Sequence, residues 1–109
     1  MATTYKVLGT SNPSATTATT LYTVPSSTST IVSTINICNQ NNNTATFRIA
    51  IRPAGASLAA NHYIAYDTVI PGNDSIALTM GITLATTDVI TIYASSAYLS
   101  FLAFGSEIT

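Results

Sequence analysis

The chain has 109 residues, of which 47% are hydrophobic and only 6% charged: three basic and four acidic, for a formal net charge of -1. Three basic residues cannot supply the phosphate neutralisation that nucleic-acid binding requires, nor a polybasic membrane patch. One Cys and one His exclude a zinc cluster and a disulfide framework, and no apolar run approaches the roughly 18–20 residues of a membrane span. Twenty Thr, 12 Ser and 8 Asn leave the polar surface to neutral hydroxyls and amides.

The opening MATTYKVLGT has one Lys and no apolar core stretch, so no signal peptide is expected. The chain is expected to fold in the cytoplasm where it is made, with Cys38 reduced. The first β-type run is Tyr5–Leu8, closed by Gly9. Residues 10–20, TSNPSATTATT, read as an extended arm, which divides the chain into residues 1–20, an N-terminal strand and arm, and residues 21–109, a sandwich domain. The second run is Leu21–Val24, stopped by Pro25. The third, Thr30–Cys38, places Ile31, Ser33, Ile35 and Ile37 on one face. An Asn-rich turn at residues 39–44 follows, then a fourth run, Thr46–Arg52, with Phe47, Ile49 and Ile51 on one face and Arg48, Ala50 and Arg52 on the other. The third and fourth runs together predict a long-looped hairpin.

Residues 53–61, PAGASLAAN, begin with Pro and an early Gly and predict a loop with one helical turn at most. Four further runs follow: His62–Ile70, Ser75–Met80, Asp88–Ala94 and Tyr98–Phe104. Eight short runs at roughly 8–12-residue spacing, rich in Thr, Ile, Val and Tyr, predict an all-β sandwich of about eight antiparallel strands, either jelly-roll or immunoglobulin-like.

Catalytic chemistry is thinly represented. Ser57, His62 and Asp67 lack a nucleophile-elbow context, and spacing alone does not make a triad. Asp74 and Asp88 sit where Asx side chains bond turn backbone. Asn41, Asn42, Asn43 and Asn73 offer amide oxygens but too few carboxylates for calcium. The five Gly are isolated, so no phosphate cradle is formed. No catalytic residue, cofactor or metal is expected, and the chain is not expected to be an enzyme.

The apolar residues exceed what one small sandwich hides. Tyr98, Leu102 and Phe104 alternate with Leu99 and Phe101, so both faces of the last run are apolar. A surplus face on a nearly uncharged domain predicts burial against another surface, in a homo-oligomer or on a larger assembly. Arg48 and Arg52 share a strand face and suit interface ion pairs, with Asp67 as an intrachain competitor. The expected interface residues are therefore Tyr5, Arg48, Arg52, Asp67, Tyr98, Phe101 and Phe104.

The string LYTVPSSTSTIVSTINICNQNNNTATFRIAIRP, residues 21–53, resembles small virion structural proteins of tailed bacteriophages, including phages of cyanobacteria. In those, an LYTVP opening leads into a VVSTxxVCN strand and a TFRIAVRP strand. Residues 62–94 look like the continuation, and LSFLAFGSEIT is similar to the usual FGxEIT close. The chain departs from the pattern at residues 40–44, QNNNT. The resemblance implies an all-β fold, synthesis in the bacterial host cytoplasm and a place in the virion. The favoured role is a capsid decoration or cement protein bound to the major capsid protein, with a trimer as the favoured homo-oligomer. A neck, tail or fibre-associated protein, or a host-glycan-binding sandwich stacking sugars on Tyr63, Tyr66, Tyr93 and Tyr98, are the other readings.

Overall fold

Among the described residues the alternation in the sequence becomes the pleat of nine strands. The computed structural model describes residues 2–109, with β1 (Thr3–Ser11), β2 (Thr19–Thr23), β3 (Ser29–Asn39), β4 (Ala45–Arg52), β5 (Tyr63–Ile70), β6 (Ser75–Leu78), β7 (Ile82–Leu84), β8 (Val89–Ala94) and β9 (Leu99–Ile108). Sheet A runs β1-β9-β3-β6, with β7 also paired to β3; sheet B runs β2-β8-β4-β5. Every pair is antiparallel. β6 and β7 are successive segments along the same edge of β3, separated by Gly81 in left-handed backbone (φ 65). Counted together they leave eight positions in two four-stranded sheets. Most connections then cross between the sheets, which is jelly-roll topology rather than immunoglobulin-like. β7 has three residues, too few to register as an alternating run.

The core lies between the sheets. Val32, Ile35, Ile37, Leu99 and Phe101 of sheet A meet Phe47, Ile49, Ile70, Ile90 and Ile92 of sheet B, all fully buried. Phe47 and Phe101 pack edge to face, centroids 6.2 Å apart, the arrangement ring quadrupoles favour.

Three expectations are corrected. The third and fourth runs are not a hairpin: β3 lies in sheet A and β4 in sheet B, so residues 40–44 bridge the layers. Buried Asn39 holds that crossing. Its side-chain amide donates to the Asn43 and Ile70 carbonyls, and its Oδ1 accepts the Asn41 amide. Of the expected strand and arm at residues 1–20, the described residues 2–20 lie within the sandwich and not outside it. β1 pairs with β9 from Thr3 opposite Ile108 to Ser11 opposite Phe101, and residue 20 lies within β2. The intervening loop is tied down by Asn12 Nδ2 on the Ala97 and Leu99 carbonyls and by the Thr16 amide on Ala94. Close approach of β1 to β2 requires Gly9, where a Cβ would lie 2.3 Å from the Leu21 carbonyl oxygen.

The third correction concerns a single face of β3. Its register against β9 shifts between Val32 and Thr34, so Ser33 is an extra residue. Because side chains alternate with period two, one inserted residue reverses the phase. Val32 is buried with Ile35 and Ile37, while Ile31 turns out to solvent at 41% exposure.

Candidate interaction surfaces

The two outer faces of the sandwich differ in kind. On sheet B, β4 presents Arg48 and Arg52 outward because Phe47, Ile49 and Ile51 face the core. Opposite Arg48 the β5 register slips: Phe47 pairs with Thr68 and Ile49 with Ala65. Tyr66 and Asp67 fill the bulge, and Asp67 takes left-handed backbone at φ 49. A bulge re-aims side chains, and here it delivers both residues to Arg48. Asp67 accepts from Arg48 Nε at 2.7 Å and Nη2 at 3.3 Å. The guanidinium lies between two rings, 4.2 Å from the Tyr66 centroid and 4.3 Å from that of Tyr93, each attractive to a cation. Its pKa is pushed further up, chiefly by the hydrogen bonds to Asp67.

Arg52 has a different task. Its Nε donates to Thr91 Oγ1 at 3.0 Å and its Nη1 to the Ala56 carbonyl at 3.0 Å and that of Gly55 at 3.4 Å. Asp88 accepts the Ala54 amide from the same loop and the Ala85 amide from its own turn. Together they clamp the start of the 53–62 loop, at residues 54–56, beside sheet B. The loop contains two short 3-10 turns, Pro53–Gly55 and Ala60–His62. Leu58 at its crest, with Tyr63 and Tyr66, walls a cleft of about 640 Å³. A narrower hollow of about 290 Å³ runs on past Leu58 and Tyr63 to Arg48 and Tyr93.

Sheet A is nearly free of charge on its outer face. Val7 pairs with Phe104, so Tyr5, two residues earlier, projects on the same side. Tyr5 is 84% exposed and Val7 49%. With Ile31, Ser33 and half-buried Phe104, Tyr5 rims a shallow hollow of about 350 Å³. Lys6 borders it, but its Nζ is paired with Glu107 Oε1 at 3.3 Å. The hollow is floored by Gly105, where a Cβ would sit 2.0 Å from the Ile31 carbonyl oxygen. Bulges in β1 and β3 flank that point.

At one end of the sandwich the sheets are joined by a polar chain. Glu107 Oε2 accepts from the Tyr22 hydroxyl, which also bonds Thr30 Oγ1 at 2.8 Å. Burial, first, and the carboxylate, second, push the Tyr22 phenol up to about 12. The same hydrogen bond, aided by Lys6, holds the Glu107 carboxyl below its ordinary value.

The expected interface residues thus divide. Tyr5 and Phe104 share the outer face of sheet A. Arg48 and Asp67 pair with each other on sheet B, and Arg52 holds a loop of its own chain. Tyr98 is 54% exposed between β8 and β9 and lines neither cleft nor hollow. Phe101 is not an interface residue: it is fully buried in the core, since β9 alternates and Phe101 falls in phase with Leu99. Val7 and Ile31 were missed as surface residues, because the bulges that set their direction leave no mark in sequence. Of the four tyrosines considered as stacking platforms, Tyr63, Tyr66 and Tyr93 are brought together and Tyr98 is not. Nor is a triad assembled among the described residues: His62 Nδ1 accepts the Ala59 amide, while Arg48 takes the Asp67 oxygens. Asp74 bonds the Ser75 amide in its turn.

No family model matches the chain, and no curated protein matches it. Among solved structures, a chain of infectious bursal disease virus, Gx strain, is similar over 97% of this chain, with a TM-score of 0.52 and 12% identity. A chain of the Gt strain is similar over 96%, with a TM-score of 0.49 and 9% identity. The present chain spans 30% and 31% of those chains. At 12% identity the likeness to the Gx-strain chain is one of fold.

Proposed function

We propose that this chain is a virion structural protein, a capsid decoration or cement protein that docks on the major capsid protein lattice as a homo-oligomer and has no catalytic role. The observation that carries this reading is the outer face of sheet A, where Tyr5, Val7 and Ile31 stand exposed beside Phe104 with no unpaired charge among the described residues. Full burial of such a side chain from water contributes on the order of 1.5–3 kcal/mol, and covering the half-exposed Val7 or Ile31 contributes about half of that. Repetition by symmetry turns a modest contact per copy into a firm hold on a shell. The resemblance of residues 21–53 to tailed-phage virion proteins supports the same reading, and so does a fold shared with a chain of a virus structure.

The deciding experiment is electron cryomicroscopy of the intact particle with quantitative mass spectrometry of its proteins. Hundreds of copies on the outer shell, seated through sheet A, are expected. Tens of copies at the neck or tail would replace decoration with an attachment role. Absence from purified particles would end the virion reading.

A further inference from the structure

The cleft on sheet B plays no part in docking through sheet A. Its two parts, about 640 and 290 Å³, fall within or near the size range of small-ligand sites. Three of its properties restrict what fits. It is electrically balanced, because Asp67 matches the charge of Arg48. It offers flat apolar surface in two orientations: Tyr66 is 57% exposed and stands nearly perpendicular to Tyr63, centroids 4.9 Å apart at 84°. It also holds a fixed polar edge. Two guanidinium nitrogens of Arg48 are taken by Asp67 and the group is stacked between Tyr66 and Tyr93, while Nη1 has no hydrogen-bond partner among the described residues. The left-handed Asp67 that creates this arrangement is conformationally costly, and such strain gathers at binding sites.

We infer that this cleft binds a neutral saccharide. A pyranose presents an apolar C–H face and a rim of hydroxyls, which match an exposed tyrosine ring and an immobile N–H donor beside it. An anionic or cationic ligand would compete with the Arg48–Asp67 pair. A purely apolar ligand would cover Arg48 Nη1 and the tyrosine hydroxyls without bonding them, which is unfavourable. A proline-rich peptide stacks on tyrosine too, but it brings no hydroxyls to the guanidinium edge. The inference is independent of the docking reading, since it uses the opposite face.

The test is a glycan array probed with the full-length chain, followed by NMR titration with a neutral trisaccharide that scores and, separately, with sialyllactose and hexaproline. Binding to neutral glycans is expected, with shifts centred on Leu58, Tyr63, Tyr66 and Tyr93. Tyr66→Ala should weaken it by about tenfold or more, the loss of one stacking face, while Tyr66→Phe keeps the ring and restores it. Tyr5→Ala, on the other face, should leave affinity unchanged. No neutral glycan scoring, hexaproline alone shifting these residues, sialyllactose binding in preference, or full affinity in a folded Tyr66→Ala protein would each overturn the inference.

Discussion

The outer faces of sheets A and B are both pleated antiparallel surfaces over one core, yet they end with opposite characters. Four of the seven charged residues, Arg48, Arg52, Asp67 and Asp88, serve sheet B or the loop beside it. On sheet A, Lys6 alternates away from Tyr5 and Val7 and is paired with Glu107. On sheet B a few charges and a strained bulge build relief: a clamped loop, a stacked guanidinium and a cleft. On sheet A backbone irregularities alone shape a shallow, neutral surface. In a charge-poor protein, the placement of a handful of ions decides which face is sculpted and which is left to adhere.

The contrast breaks most severely at Gly105. Gly105→Ala should destabilise the fold by about 3 kcal/mol or more, because the new methyl meets backbone that cannot yield; chemical denaturation measures it, and a change near zero would show that the bulges flanking Gly105 relax freely. Next comes a charge placed on sheet A. Ile31→Lys should leave monomer stability within about 0.5 kcal/mol but oppose self-association or shell binding by roughly 3 kcal/mol, the order of cost of burying an unpaired charge. Sedimentation and particle-binding assays read this; unimpaired assembly would move the docking surface elsewhere.

The polar chain that joins the two sheets supplies a smaller effect. Tyr22→Phe should cost about 1–2 kcal/mol by leaving Thr30 and Glu107 short of a partner. It should also change the pH profile. The folded Glu107 titrates below its ordinary value, so its contribution is present above that value and fades as pH falls through the depressed one. The folded Tyr22 titrates at about 12 instead of 10, so its contribution is complete below pH 10 and fades as pH rises through about 12. The variant should lose the alkaline decline and soften the acid one in thermal melts across pH. Smallest is Arg52→Ala, at roughly 1 kcal/mol. Hydrogen exchange should rise in residues 53–62, where its carbonyl partners lie, while sheet A assembly stays intact. Lost assembly instead would mean that Arg52 serves an interface.

Much of this was open to reading from the residues. Alternation groups Phe47 with Ile49 in β4, Ile90 with Ile92 in β8 and Leu99 with Phe101 in β9, and each of these groups is buried together. Asp74 and Asp88 were recognisable as turn residues because an Asx side chain acts within a few positions of itself. Phe101, expected at an interface, lies in the core although its phase is visible: alternation says that two side chains oppose each other but not which one meets the core. The outward turn of Ile31 escapes the sequence for a deeper reason. A bulge is agreed between two strands far apart in sequence, and Ser33 looks no different from an in-register residue until β9 lies beside it.

The sequence by itself determined an all-β chain with hardly any charge and more apolar strand surface than one core conceals, because those properties depend on residue types and their local period. Only the tertiary structure decided that the strands close as a jelly roll, that Arg48 meets Asp67 between Tyr66 and Tyr93, and that Ile31 faces outward. Those outcomes depend on pairing register, and register is settled by the summed burial and hydrogen bonding of strands that are distant along the chain.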